Sequence, residues 1–262
     1  LWAIQIHTTF LSCPRRFMSC VIKGSTKDFT HLNTVFENFM LPLVSMIRTY
    51  LITDNVGVEV ILPDNKKLKS LFHNSNWQHL LAPNHYEETT YENLQHLPAS
   101  QFVNAEEQFA AVDQAINVLL SSLPVTSRDS IKALEWSINE ITDNVLNHSQ
   151  SRAGGFIQAS TFSKTSTVEF VVADSGLGIA KTLDIADHKK ALEEAVKEGV
   201  TRNKKTNAGN GLFGSYQIAT LSGEFFYILS GKASIYATSD SVKYDETKVG
   251  FYPGTLVIAR IN

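Results

Sequence analysis

The chain has 262 residues, 43% of them hydrophobic and 19% charged, with a formal net charge of −3. At about 100–200 residues per domain, this globular balance allows one large or two modest domains, each able to bury a core. There is no long basic run to favour nucleic acid or an anionic membrane, and no apolar run near the ~18–20 residues of a membrane helix. The two cysteines, Cys13 and Cys20, make no disulfide framework, so a cytoplasmic protein is expected.

The opening run LWAIQIHTTFLSCPRR lacks a basic leader and reads as a strand rather than a signal peptide. FMSCVIKG (17–24) is β-compatible. Asp28 or Thr30 is placed to cap a helix through LNTVFENFMLPLVSMIRTYL, in which Pro42 predicts a kink or break. GVEVILP (57–63) alternates like a strand, and KKLKSLFHNSNWQHLL returns to helical spacing. APNHYEETTYENLQHLPASQ, polar and marked by prolines, reads as a connector. The alternation predicts a small α/β domain over residues 1–100.

A helix over 105–123 opens the second half, and a longer one follows over 126–150, with Thr126 or Ser127 at its N-cap. In the longer helix Ile131, Leu134, Ile138, Ile141 and Val145 form one core-facing stripe. GGFIQASTF and TVEFVVA predict a hairpin. A charged helical segment, DHKKALEEAVKEGV, and a glycine cluster, NAGNGLFGSYQIATLSG, come next. EFFYILS, ASIYATS and GTLVIARI read as closing strands.

Three stretches carry candidate chemistry. Glu140, Asn144 and His148 stand at i, i+4 and i+8, on one helical face. The amide oxygen of Asn144 suits Mg²⁺, and the Glu140 carboxylate suits a base that orients or deprotonates a hydroxyl or water. The same stripe also fits a solvated helix face. In EFVVADSGLGIAKT a strand climbs to Asp174, and Gly176 and Gly178 open the backbone after it. A buried carboxylate there accepts a hydrogen bond from an exocyclic amine such as that of adenine; an ordinary strand-end turn has the same sequence. GNGLFG, with Gly209, Gly211 and Gly214 leading into a helical run, offers successive N–H groups to an anion. It is neither a Walker A motif nor a dinucleotide fingerprint. Arg202, Lys204 and Lys205 lie between the two glycine clusters, beside a phosphate or in a solvated loop.

In this order, Glu-x-x-x-Asn on a helix, Asp-x-Gly-x-Gly after a strand, Gly-x-Gly-x-x-Gly opening a helix and Gly-Thr on a terminal strand, residues 105–262 resemble the GHKL ATPase superfamily of gyrase, a heat-shock chaperone, histidine kinases and MutL. The resemblance implies an α/β fold, a two-layer α/β sandwich (Bergerat fold) behind the smaller α/β domain, with ATP and Mg²⁺ as cofactors. It implies Glu140 as general base, Asn144 as Mg²⁺ ligand and Asp174 as the adenine-reading carboxylate. Gly176, Gly178 and Ile179 would lie beside the nucleotide. Gly209, Asn210, Gly211, Leu212, Phe213 and Gly214 would form the phosphate-side box, with Phe213 where many members carry glycine. Thr255 would join Asp174 in reading adenine, and residues 179–208 would be a lid whose Arg202, Lys204 or Lys205 offset the triphosphate charge.

His148 after NVLN is similar to the histidine of anti-sigma-factor serine kinases. His96 lacks a histidine-kinase phosphoacceptor setting, and His79 reads as a structural or surface residue. The first half resembles a STAS-like interaction module. The function implied is an ATPase switch for a partner protein, with serine/threonine phosphoryl transfer and a non-catalytic nucleotide sensor as alternatives. The family's frequent dimers leave a homodimer open, and neither nucleic acid nor membrane is expected as a partner.

Overall fold

The strand Thr167–Asp174 (β5) shows why the chain folds as it does. Val168, Phe170 and Val172 point to one face, Val171 and Ala173 to the other, and all are buried. A strand apolar on both sides needs a covered sheet on both sides. The computed structural model describes residues 26–32, 35, 37–54, 59–90, 96–122, 128–162, 165, 167–197, 212, 214, 216–217, 223–246 and 250–261. The expected strand over 17–24, the caps Thr126 and Ser127, and Arg202, Lys204, Lys205, Gly209, Asn210, Gly211 and Phe213 lie outside the described residues.

The molecule is mixed α/β. Its seven-stranded antiparallel sheet runs β3-β4-β5-β9-β6-β7-β8, from His96–Phe102 (β3), Gly155–Phe162 (β4), Thr167–Asp174 (β5), Gly223–Gly231 (β6), Ala233–Ala237 (β7), Val242–Glu246 (β8) and Tyr252–Ile261 (β9). The C-terminal strand β9 lies in the centre, paired with β5 and β6. The hairpin β4–β5 and the strands over EFFYILS, ASIYATS and GTLVIARI stand where the sequence puts them. Two strands were not legible. β3 is the end of the expected connector, where Pro98 sits on a sheet-edge strand at a register shift. β8, VKYDE, is mostly exposed and edge-placed, so it shows no apolar alternation.

One face of the sheet is covered by Ala105–Ser122 (α4) and Arg128–Asn144 (α5). Val112, Leu119, Leu134, Ile138 and Ile141 pack there with Phe170, Phe226, Ile228 and Val257. The expected apolar stripe of α5 is buried at Leu134, Ile138, Ile141 and Val145. The opposite face carries Glu37–Asp54 (α1), Lys66–Asn74 (α2) and Trp77–Leu81 (α3), whose Met40, Val44, Ile47, Phe72 and Trp77 join Phe156, Val171, Phe225 and Ile258. Trp77 Nε1 donates to Gln158 Oε1 at 3.0 Å. The two layers expected of residues 105–262 are the sheet with α4 and α5. The helices of residues 37–81 add a third on the other face, because the even positions of β5 and β9 and the odd ones both carry large apolar side chains that need cover.

The N-terminal strands Thr26–Asp28 (β1) and Glu59–Ile61 (β2) pair in parallel as a separate two-stranded sheet. α1 continues through Pro42 without a break. Pro42 stands five residues after Glu37, so the carbonyl it fails to engage belongs to the first turn. The single helix expected over 66–81 is two, parted by Asn76 in the left-handed conformation at φ 62°. Among the described residues no helix is long and apolar enough to cross a membrane.

On the face toward α1, Arg260 donates from Nη2 (2.7 Å) and Nε (3.1 Å) to Glu169 Oε2, and its guanidinium lies over the Phe162 and Phe225 rings. Breaking a buried pair from one side strands the other charge. Arg260→Ala should lower unfolding free energy by about 3 kcal/mol in urea titrations, and Arg260→Lys should recover only part because it loses the planar contact with both rings.

Candidate functional site

Asp174 ends β5 and is 2% exposed. The β5 alternation turns its side chain to the α4–α5 face, with Thr255 of β9 and Ser230 of β6 in the same phase. Its Oδ1 accepts from the Gly176 N–H at 2.8 Å and its Oδ2 from the Thr255 N–H at 3.2 Å. The glycine turn and the Gly-Thr strand therefore both bond the carboxylate through backbone N–H groups. Burial raises the Asp174 carboxyl to about 7, against the downward pull of these two N–H donors.

Gly176 and Gly178 have separate reasons for being glycine. A Cβ at Gly176 would stand 2.0 Å from the Ser149 carbonyl oxygen. Gly178 has φ 73°, in the left-handed region that favours glycine. It opens the short helix Gly178–Leu183 (α6), where the Ile179 N–H donates to Ser230 Oγ at 2.9 Å and Ser230 Oγ donates to the Gly254 carbonyl at 2.7 Å. The turn after Asp174 is thus tied to β6 and to the bulged start of β9.

α5 reaches the same place. Its α-helical turns end at Asn144, and a π-helical turn, Val145–Ser149, follows. The Ser149 carbonyl accepts from the Leu177 N–H at 2.7 Å, so the end of this helix is bonded into the Asp174 turn. The expected single helix over 126–150 is corrected accordingly. Glu140 and Asn144 keep their i, i+4 relation, whereas His148 falls in the wider turn and leaves the stripe. Glu140 and Asn144 are half-buried, and neither side chain has a hydrogen-bond partner among the described residues. Burial, then the neighbouring Asp143 carboxylate, raises the Glu140 carboxyl above its ordinary range.

Of the second glycine cluster, Leu212, Gly214, Tyr216 and Gln217 are described, and all are helical. Leu212 and Tyr216, like Ile179 and Leu146, pack against the core on the α4–α5 face. Gly214 abuts the Trp136 ring so closely that a Cβ would stand 2.3 Å from it. Trp136 is one helical turn before Glu140, so the cluster's end lies against the helix that carries Glu140 and Asn144. The expected lid over 179–208 is partly built structure: α6 and His188–Ala195 (α7) occupy it, and Ala191, Leu192 and Val196 are buried.

Ser149, Ser230 and Tyr252 are site residues the sequence reading missed. Tyr252 is the one with a signal, since it stands three residues before Thr255 in YPGT. Compared with models of known protein families and with curated proteins, the sequence matches none of them. Among the described residues no group of three or more His, Cys, Asp or Glu side chains stands ready for a metal ion.

The raised Asp174 value has a definite sign. Between about pH 4 and about pH 7 the folded chain keeps a proton that the unfolded chain, at the ordinary 3.8, has lost. The stabilising contribution is full below that window and is lost as pH rises through it. Asp174→Asn should flatten the pH dependence of stability there, read by thermal unfolding across the window. Gly176→Ala should cost about 1–3 kcal/mol, because the turn must move away from Ser149.

Proposed function

We propose that residues 105–262 form a nucleotide-binding domain of the GHKL class and that the protein is a slow, Mg²⁺-dependent ATPase acting as a switch for a partner protein. The observation that carries this reading is the Asp174 carboxylate, buried at a strand end and held by backbone N–H groups from the glycine turn and the Gly-Thr strand. An ionised carboxylate only accepts hydrogen bonds, and adenine presents an N–H₂ donor at its six-position.

Glu140 and Asn144 lie on the helix whose end is bonded to that turn, and their side chains have no hydrogen-bond partner among the described residues. An amide oxygen and a carboxylate fit Mg²⁺, which takes few protein ligands and completes its shell with water and phosphate. When bound, Mg²⁺ would supply charge compensation on the triphosphate. Glu140, its carboxyl raised by burial and Asp143, would orient and accept a proton from the attacking water. Asn144 would hold the metal, and Gly214 with the rest of its cluster would border the phosphates. Arg202, Lys204 and Lys205 retain their proposed role of offsetting phosphate charge.

The Glu140 carboxylate also favours a second reading, transfer of phosphoryl to a serine or threonine of a partner, since the same base serves a protein hydroxyl. Labelled γ-phosphate separates the two: free phosphate supports hydrolysis, a labelled protein band supports transfer. Asp174→Asn should lose most adenine-nucleotide affinity in calorimetry, while Glu140→Ala should keep binding and lower turnover by about 10²-fold or more. Unchanged affinity in a folded Asp174→Asn would remove the site assignment.

A further inference from the structure

Behind Asp174, on the face of the sheet opposite its carboxylate, lies a cluster of three hydroxyls from three elements. Ser45 of α1 is fully buried, and its Oγ is 2.9 Å from Ser175 Oγ. Tyr252 of β9, also buried, donates from its hydroxyl to the Asp174 carbonyl at 2.7 Å. The Tyr252 proton is committed to the Asp174 carbonyl, and in the contact between the two serines one hydroxyl donates and the other accepts.

We infer that Ser45 is a positioning residue for the nucleotide site: through Ser175, α1 fixes the Asp174–Gly176 turn and thereby sets nucleotide affinity. The inference rests on the functional reading above for its ligand, though not for its geometry. Three features of the structure support it. Ser175 is the residue between Asp174 and Gly176, so a bond on its side chain acts on the peptide linking the carboxylate to its own N–H donor. Tyr252 stands three residues from Thr255, whose N–H is the second donor. Ser45 sits in an otherwise apolar stretch of α1, among buried Leu41, Val44, Met46 and Ile47, where a hydroxyl without a partner would be costly. α1 is thus the one helix on that face that places a polar side chain on the turn among the described residues.

The consequence is a route by which whatever shifts α1 would alter nucleotide binding across the sheet. It needs no contact between α1 and the nucleotide. A shift that draws Ser45 away frees Ser175, lets the turn open, and takes the Gly176 and Thr255 donors off the carboxylate.

Amide hydrogen exchange and calorimetry with ATP and Mg²⁺ test this on the full chain. In Ser45→Ala, exchange at Gly176 and Thr255 should quicken on the order of three- to tenfold and ATP affinity should fall by a similar factor, matching one lost hydrogen bond. Amides in mid-sheet, such as Phe170 and Val257, should keep their rates. Met46→Leu, a size-conserving change one residue away, should leave the turn amides and the affinity at wild-type values. Ser175→Ala supplies the same cut from the other side should Ser45→Ala fold poorly. Wild-type exchange and affinity in a folded serine variant would overturn the inference. A wild-type protein that binds no ATP would overturn the nucleotide reading, while the exchange arm, which needs no ligand, would still judge the positioning of the turn.

Discussion

The structure around the candidate site depends on one constraint: a carboxylate buried at the end of a central strand must be matched by donors. Asp174 is taken out of water by the sheet and by the layers on both faces. Two backbone N–H groups, from Gly176 and Thr255, are what it receives in return. Each donor comes from a segment that must be held in place. The first needs the Gly176 turn pressed against Ser149, and the second needs β9 inserted between β5 and β6. A buried polar group with only part of its partners is expensive. The carboxylate therefore links the strand order, the helix ending at the π-helical turn and the bulged start of β9 into one arrangement.

That arrangement explains why the chemistry collects at one end of the sheet. The β5, β6 and β9 alternation sends Asp174, Ser230 and Thr255 to the face covered by α5. The opposite phase sends Tyr252 to the face covered by α1. Both helical layers consequently touch the same turn from opposite sides: α5 through the Ser149 carbonyl and α1 through the Ser45 hydroxyl.

Much of this was legible in the residues. The helix bearing Glu140 and Asn144 and the hairpin after it, whose second strand runs into Asp174, have strong periodicity, which fixes the element and the phase. Motif order named Asp174, Gly176 and Thr255 as one candidate site, and the structure places the Gly176 and Thr255 backbone N–H groups on the Asp174 carboxylate. Where reading failed, the missing information was tertiary. The π-helical turn has no local signal in VLNHS, and it removes His148 from the stripe. β3 is polar and carries Pro98, so only its pairing with β4 makes it a strand. Ser45 gives no sign of its role, since one serine in an apolar helix is ordinary until the sheet places Ser175 beside it. The N-terminal helices look like a separate unit in sequence because the face they cover, the second side of β5, is in the other half of the chain.

The central claim is that Asp174 reads the six-amino group of adenine. Calorimetry of the wild-type chain with ATP and with GTP, each with Mg²⁺ at about pH 8, where a carboxyl raised to about 7 is ionised, tests it most directly. Guanine turns a carbonyl oxygen toward the position where adenine carries its amine, so it would face the carboxylate acceptor to acceptor. The account predicts saturable ATP binding and at least tenfold weaker GTP binding, roughly the difference of one good hydrogen bond to a charged group. Equal affinity for the two nucleotides, or none for ATP, would contradict it.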